Sequence, residues 1–433
     1  MSKIRFVVVG AGLIGPRHAE LVLRTPQCSL FAIVDRSARG SEVAARFNAL
    51  YFRTVDEMFL FCHQYRVDYP DAAVVATPNN SHASVGVQLA SKGIHLLVEK
   101  PLASSPEECR SFIEFCDSRG VVLLVGHHRR FNPYIVAAKA HMAKIGTPVM
   151  VQGVWALKKC SDYFAEKPWR RSHHHGGGTL MINLIHDLDL LQYLLGPIQR
   201  VYAELLPKQR PQEGPGNHVD EGAALTLRFV SGCCGTFVCS DNVTSPFNFE
   251  AGTGENPLIP RNNDMAGFYR LFGSRGTLSI PDFTLYHQND VSDAENSWWR
   301  TVQAEKLDIL SCDRPVDQSR GFMTPPSSYD AKLPQFHMAR ELPRPFDLQI
   351  QHFVNLITGK ESVSKCSGRD ALSALLCIEA VKRSIETELP QVVPAAVGSQ
   401  TEFLADSATD SATEFVMGPQ HRDSGNEISA MEA

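Results

Sequence analysis

The residues whose types and spacing can do chemistry begin with Gly10-Ala11-Gly12-Leu13-Ile14-Gly15. Gly10 permits a tight turn, Gly12 offers no side chain to block an approaching pyrophosphate, and Gly15 lets a helix lie close to a strand. The helix N-terminus then presents free N–H groups and a positive dipole end to phosphates. Asp35 lies about 20 positions beyond the turn, where an acidic residue accepts from a ribose 2′-hydroxyl. Together these imply a bound dinucleotide. Glu99-Lys100-Pro101 follows another apolar run, and a lysine there points into the crevice where ligands of open α/β sheets sit. Proline restricts its own φ and biases Lys100 toward extended backbone, which holds the lysine's direction. A free lysine is neutral in only about 1 in 2,500 molecules at pH 7, so a basic role costs roughly 4–5 kcal/mol unless the site lowers its pKa. Burial and the positive charge of an oxidised nicotinamide would both lower it. His186 can exchange a proton near neutrality, although a histidine on an apolar helix is ordinarily a packing residue.

These groups need elements to position them. Apolar runs at Ile4–Val9, Leu30–Val34, Ala72–Val75, His95–Val98 and Val121–Val125 predict strands buried on both faces. Helical stretches fall between or after them at Gly15–Arg24, Ser37–Phe47, Val55–Gln64, Ser81–Ser91 and Pro106–Arg119. This pattern predicts an α/β architecture with an N-terminal doubly wound parallel sheet, a Rossmann fold, over residues 1–125. From Gly126 the runs take an antiparallel character: Val149–Ala156, Val201–Leu206, Gly222–Phe229, Gly235–Ser240 and Gly276–Ser279. An apolar helix from Thr179 to Leu195 stops at Gly196-Pro197, and further helices run from Phe346 to Thr358 and from Arg369 to Thr387. Residues 126–393 are thus expected to form an α+β domain with an open, mainly antiparallel sheet. Ser245–Asn263 and Arg314–Pro345 read as loops, and residues 394–433 as a disordered polar tail. Thr77-Pro78-Asn79-Asn80 ends the Ala72–Val75 run, either as a cofactor contact or as an ordinary turn with Asn80 or Ser81 capping the next helix.

A formal net charge of −5 argues against a nucleic-acid or anionic-membrane surface, and no apolar stretch reaches a membrane span. The first residues run into a strand and a glycine turn without a small-residue cleavage site, so no signal peptide is expected. The chain has 11 cysteines without a CxxC pair, which points to reduced thiols in a cytoplasmic protein and to no zinc site. His173-His174-His175 invites a metal, but consecutive side chains rarely converge on one ion. The triplet reads as a substrate-side loop, and no metal is expected.

The sequence resembles the glucose–fructose oxidoreductase / inositol dehydrogenase / MocA family (Gfo/Idh/MocA). The matching pieces, in order, are the glycine turn, Asp35, Thr77-Pro78-Asn79, Glu99-Lys100-Pro101, residues 126–133 (GHHRRFNP), Trp169-Arg170, Gly176-Gly177-Gly178, His186-Asp187-Leu188-Asp189, residues 272–277 (FGSRGT) and the closing helix around Ala380–Ser384. The similarity spans about residues 3–393. It implies an NAD(P)-dependent dehydrogenase acting on CH–OH groups, which passes a hydride between nicotinamide and a secondary alcohol or ketone of a sugar, cyclitol or related ring compound. Dihydrodiol or secondary-metabolite dehydrogenases and a non-catalytic cofactor-binding regulator are the alternatives. By resemblance Lys100 takes or relays the hydroxyl proton and His186 assists. Many members carry an aspartate four residues before that histidine; here the position is Ile182, and Asn183 is the candidate substitute. The expected cofactor-binding set is Gly10, Gly12, Leu13, Ile14, Gly15, Asp35, Arg36, Thr77, Pro78, Asn80, His82, Glu99, Lys100, Arg129, Trp169 and Arg170. His127, His128 and Arg129 suit either a ligand contact or a solvated hinge. Asp35 favours NAD by repelling a 2′-phosphate, whereas Arg36 and Arg39 suit NADP, with Arg36 alternatively stacking on adenine. The expected partners are a small polyol- or sugar-like substrate and further copies of the chain, as a dimer or tetramer.

Overall fold

The computed structural model describes residues 3–173, 176–210, 219–256, 258–288, 297–309 and 344–396. Its first elements are β1 (Ile4–Val9), α1 (Gly15–Arg24), β2 (Cys28–Val34), α2 (Ala38–Arg46), β3 (Leu50–Phe52), α3 (Val55–Tyr65), β4 (Ala72–Val75), α4 (His82–Ala90), β5 (His95–Val98), α5 (Pro106–Ser118) and β6 (Leu123–Val125). The strands form one parallel sheet in the order β3-β2-β1-β4-β5-β6. The order reverses at β1 and β4, whose carboxyl ends frame the crevice of a doubly wound fold. The helices start where the sequence provides caps. Thr54 Oγ1 accepts from Glu57 N, and Ser105 Oγ accepts from Glu108 N, with Pro106 at the first turn of α5. Neither proposed cap of α4 operates. The Ser81 hydroxyl instead donates within the preceding turn, to Thr77 Oγ1 at 2.9 Å and Pro78 O at 2.8 Å.

The chain continues through α6 (Pro133–His141), β7 (Pro148–Ala156), α7 (Ser161–Ala165), α8 (Ile185–Leu195), β8 (Ile198–Leu205), β9 (Gly222–Phe229), β10 (Cys234–Ser240), α9 (Phe249–Thr253), β11 (Tyr269–Gly273), β12 (Gly276–Ile280), β13 (Thr284–His287), β14 (Gln303–Lys306), α10 (Pro345–Ile357), α11 (Gly368–Thr387) and β15 (Gln391–Val392). A nine-stranded sheet runs β14-β13-β12-β11-β7-β10-β9-β8-β15. Its pairings are antiparallel except β7 with β10, which run parallel with Val151 opposite Gly235. One face packs under α8 and α11 through Leu188, Leu191, Leu375 and Ile378, all buried. On the other face Val149, Met150 and Val238 are exposed.

Several expectations are corrected. The helix expected over Thr179–Leu195 is broken into a π-helical turn, Leu180–Leu184, and α8. The expected loop over 245–263 contains α9, because Asn248 Oδ1 accepts from Ala251 N at 2.8 Å and caps it. Pro345 opens α10 rather than closing a loop. The rest of the proline-rich stretch up to residue 343 and the tail from 397 lie outside the described residues. α10 packs back onto the parallel sheet. Phe353 lies edge-on to Phe6 at 6.0 Å, and Ile350 and Val354 join Val8, Leu97 and Leu124 in one apolar cluster.

Among the described residues, no helix is long and apolar enough to cross a membrane.

Candidate active site

The glycine turn leaves β1 at Gly10, whose φ of +106° suits glycine. Gly15 permits the closest approach: a Cβ there would lie 1.8 Å from the Gly10 carbonyl oxygen. A Cβ on Gly12 would meet nothing within 4 Å, so the turn is open on the side where a pyrophosphate would lie. Leu13 is exposed and Ile14 half-buried beside it. Asp35 leaves the end of β2 and turns toward this loop. Its Oδ2 accepts from Ala11 N at 2.6 Å and its Oδ1 from Ser37 N at 2.8 Å. Burial pushes its pKa up, but the Ser37 hydroxyl, these two amides and Arg39 outweigh it and hold the carboxyl below its ordinary value. Arg36 and Arg39 are exposed, as are Pro78 and Asn80, and Thr77 is half-buried. The cradle therefore fits a dinucleotide, with an ionised carboxylate at its ribose end.

Lys100 emerges from β5 and crosses to the π-helical turn, where its Nζ donates to Ile182 O at 3.2 Å. Burial lowers its pKa, Glu99 opposes, and Arg129 and Lys159 lower it further, so it falls to about 8. His186, in the first turn of α8, is buried. Burial, then the charges of Lys100 and Arg129, hold it well below its usual pKa and keep the imidazole neutral. Its ring lies edge-on to His127 at 6.2 Å and His128 at 5.6 Å, and its Nδ1 has no hydrogen-bond partner among the described residues. Asn183 Oδ1 accepts from Lys159 Nζ at 2.6 Å. Lys159 follows β7, faces Asp241 Oδ2 at 3.3 Å and lies over the Tyr163 ring at 4.8 Å. The π-helical turn inserts an extra residue ahead of α8, and such insertions recur at functional sites. Here the turn carries Ile182 to Lys100 and Asn183 to Lys159.

Three residues expected to touch the cofactor also hold neighbouring parts of the chain. Glu99 Oε1 meets His18 Nε2 at 2.7 Å, and its Oε2 accepts from Lys100 N at 3.3 Å. Burial alone would raise the Glu99 pKa, but His18, His128 and Lys100 drive it down to about 2. His82 is buried with its ring nitrogens facing Pro101 O at 2.7 Å and Thr77 O at 2.8 Å, so it ties two strand-end turns together. Arg129 is buried among carboxylates, donating to Glu250 Oε1 at 2.5 Å and Glu255 Oε1 at 3.3 Å. All three are tied to neighbouring elements, although Arg129 Nη1 has no hydrogen-bond partner among the described residues. Arg170 donates to Tyr163 O and lies 3.7 Å over the Tyr163 ring, while Trp169 is partly exposed. His128 is no solvated hinge: it stacks on Phe346 at 4.3 Å and meets Glu255 at 3.1 Å.

Sequence reasoning missed Lys159, Asp241, Glu250, Glu255 and Tyr269. Lys159 was accessible, since it follows the predicted Val149–Ala156 strand as Lys100 follows His95–Val98. The others are recruited by tertiary contacts. Trp155 Nε1 donates to Glu250 Oε2 at 2.8 Å, and the Tyr269 hydroxyl donates to Asp187 Oδ1. Of the histidine triplet, His174 and His175 lie outside the described residues.

Two family models match the chain. Residues 4–127 match "Oxidoreductase family, NAD-binding Rossmann fold", and residues 141–392 match "Oxidoreductase family, C-terminal alpha/beta domain". The chain is 31% identical over 256 residues to a scyllo-inositol 2-dehydrogenase (NAD(+)) of Bacillus subtilis (strain 168), covering 57% of this chain and 70% of that protein. It is 24% identical over 386 residues to the uncharacterized oxidoreductase YrbE of the same strain, covering 88% and 94%. A levoglucosan dehydrogenase solved with NADH and levoglucosan superposes with a TM-score of 0.67 at 20% identity, over 91% of this chain and 100% of that one.

Proposed function

The chain belongs to the Gfo/Idh/MocA oxidoreductase family, and from that premise we propose that it is an NAD-preferring dehydrogenase acting on a secondary alcohol or ketone of a sugar, cyclitol or related ring compound. The observation that carries this reading is the meeting of Lys100 with the Ile182 carbonyl, one residue from Asn183 and four from His186. It brings a lysine of lowered pKa to the carboxyl end of the parallel sheet. When bound, the nicotinamide supplies the site that accepts or returns the hydride.

The chain's own residues do the rest. Gly10, Gly12 and Gly15, with Leu13 and Ile14, receive the pyrophosphate, and Asp35 receives the adenosine ribose. Its ionised carboxylate disfavours a 2′-phosphate, which supports NAD over NADP. Thr77, Pro78, Asn80, Arg36, Trp169 and Arg170 flank the remaining length. In the neutral form Lys100 accepts the substrate hydroxyl proton through Nζ. His186, held neutral, offers a single hydrogen bond in either direction to the same hydroxyl. Asn183 orients a neighbouring substrate group. Residues 1–125 serve the cofactor and residues 126–393 the substrate. The exposed Val149, Met150 and Val238 suit pairing of copies into a dimer or tetramer, in a cytoplasmic setting.

Ile182 in place of the usual aspartate favours one rival, a cofactor-binding regulator without turnover. The test is nicotinamide reduction with NAD⁺ and NADP⁺ separately, against inositols, aldoses and dihydrodiols, with Lys100→Met as blank. Turnover that requires Lys100 supports the dehydrogenase. Tight NAD binding without turnover on any ring compound supports the regulator.

A further inference from the structure

The hydrogen-bonding character of the cleft is one-sided. An ammonium has three donors. Among the described residues Lys100 Nζ has one hydrogen-bond acceptor, the Ile182 carbonyl. Lys159 Nζ has Asn183 Oδ1 at 2.6 Å and the Asp241 carboxylate at 3.3 Å. Each ammonium therefore keeps N–H groups for a ligand. Asn183 has a fixed orientation, because an ammonium can only donate: Oδ1 must face Lys159, and Nδ2 is left as a further donor.

The nearby carboxylates balance these donors only in part, since each is shared with another donor. Asp241 is gripped by Arg210 at 2.7 Å, Glu99 by His18 at 2.7 Å, and Glu250 by Arg129 and the Trp155 indole. Position 182, from which an acidic side chain would enter, is isoleucine. Lys159 is more than nine-tenths buried, and its charge reaches Lys100 strongly enough to affect that lysine's titration. A desolvated cation attracts an anion far more than an exposed one does. Charge-assisted hydrogen bonds to a carboxylate are roughly twice as strong as neutral ones.

We infer that the substrate is a polyhydroxy carboxylic acid of the uronic or aldonic type, whose carboxylate is held by Lys159 Nζ and Asn183 Nδ2 while its hydroxyl faces Lys100. This rests on the dehydrogenase reading above and narrows its substrate class. Lys159 is thereby a specificity-determining residue.

The test pairs each acid with its neutral counterpart: D-glucuronate with D-glucose, and D-gluconate with D-glucitol. Turnover with NAD⁺ is measured alongside calorimetric binding of the same ligands to the NADH-loaded protein. The expected result is at least a tenfold preference in kcat/KM for an acid. Lys159→Met, assayed well above the Lys100 titration, should remove it by raising KM for the acid at least tenfold more than for its neutral partner, with NADH binding unchanged. Lys159→Arg should restore part of it, and Asn183→Asp should disfavour the acid. Intact NADH affinity and an unchanged melting temperature show that each variant is folded. Turnover or binding confined to neutral ligands, or equal loss for both classes in Lys159→Met, would overturn this inference and leave the dehydrogenase standing. Absence of turnover and binding for both classes would overturn this inference, and the dehydrogenase reading falls with it only if the inositols, aldoses and dihydrodiols also fail.

Discussion

Lys100 loses hydration on burial faster than Glu99 compensates, because that carboxylate is shared with His18. If its neutral form is the base, kcat/KM for alcohol oxidation should rise with pH and level off above about 8. Lys100→Met should abolish the limb and reduce the rate by about 10²–10⁴-fold. Two buried carboxyls should shape stability in opposite directions. Glu99 has a folded pKa of about 2, below its unfolded value, so its contribution is present above about pH 4.5 and is lost as pH falls toward 2. Denaturant titrations should show Glu99→Gln less stable at neutral pH by up to about 3 kcal/mol, converging on the parent near pH 2. Asp187 is the reverse. Burial, against the pull of Arg129 and the Tyr269 hydroxyl, raises its pKa to about 7. Its contribution is present below about pH 4 and is lost as pH rises to 7, so Asp187→Asn should gain on the parent across that interval.

At the scale of elements, the turn between β1 and α1 separates binding from folding. Gly12→Ala adds a methyl group to open space and should leave the melting temperature unchanged while weakening NAD binding at least tenfold. Gly15→Ala must displace the Gly10 carbonyl and should lower both, as calorimetry and thermal melts would show. This turn was legible because its meaning is local: strand, glycines, helix and Asp35 lie in one short stretch. The parallel strands β1, β4 and β5 were legible for a related reason, since burial on both faces leaves a continuous apolar run. β3 escaped notice because it has only three residues, and β14 because Gln303–Lys306 is exposed throughout and has no alternation to read. The cap and first turn of α6, Asn132-Pro133, are helix-start signals that sit inside the GHHRRFNP motif. Lys100 and His186 are legible in the sequence, yet the bond from Lys100 to the Ile182 carbonyl, four residues before His186, depends on a π-helical turn that no periodicity announces. Lys159 and Asp241 become partners only when β7 and β10 lie side by side.

At the scale of the whole molecule, Arg130 joins distant parts of the chain. It grips Asp189 of α8 through Nε and Nη2, and its Nη1 donates to Lys365 O at 2.9 Å and meets Asp370 of α11 at 3.3 Å. α10 does the same through apolar contact. Phe353→Ala should destabilise the protein by about 3–5 kcal/mol in denaturant titrations, although it lies far along the chain from the sheet it covers.

That late return of α10 has a consequence for how the protein is made. The stretch matched by the NAD-binding family model ends at residue 127, but the apolar face carrying Phe6, Val8, Leu97 and Leu124 is covered only in part, by α1 and α2, until Pro345–Ile357 has been synthesised. At roughly 5–20 residues per second the ribosome takes tens of seconds to deliver that cover. During that interval a nearly complete parallel sheet waits with an oily flank in water. The cofactor half is therefore not a module that can be cut out at its sequence boundary, and synthesis of this chain includes a period of exposure that chaperones would be suited to shield.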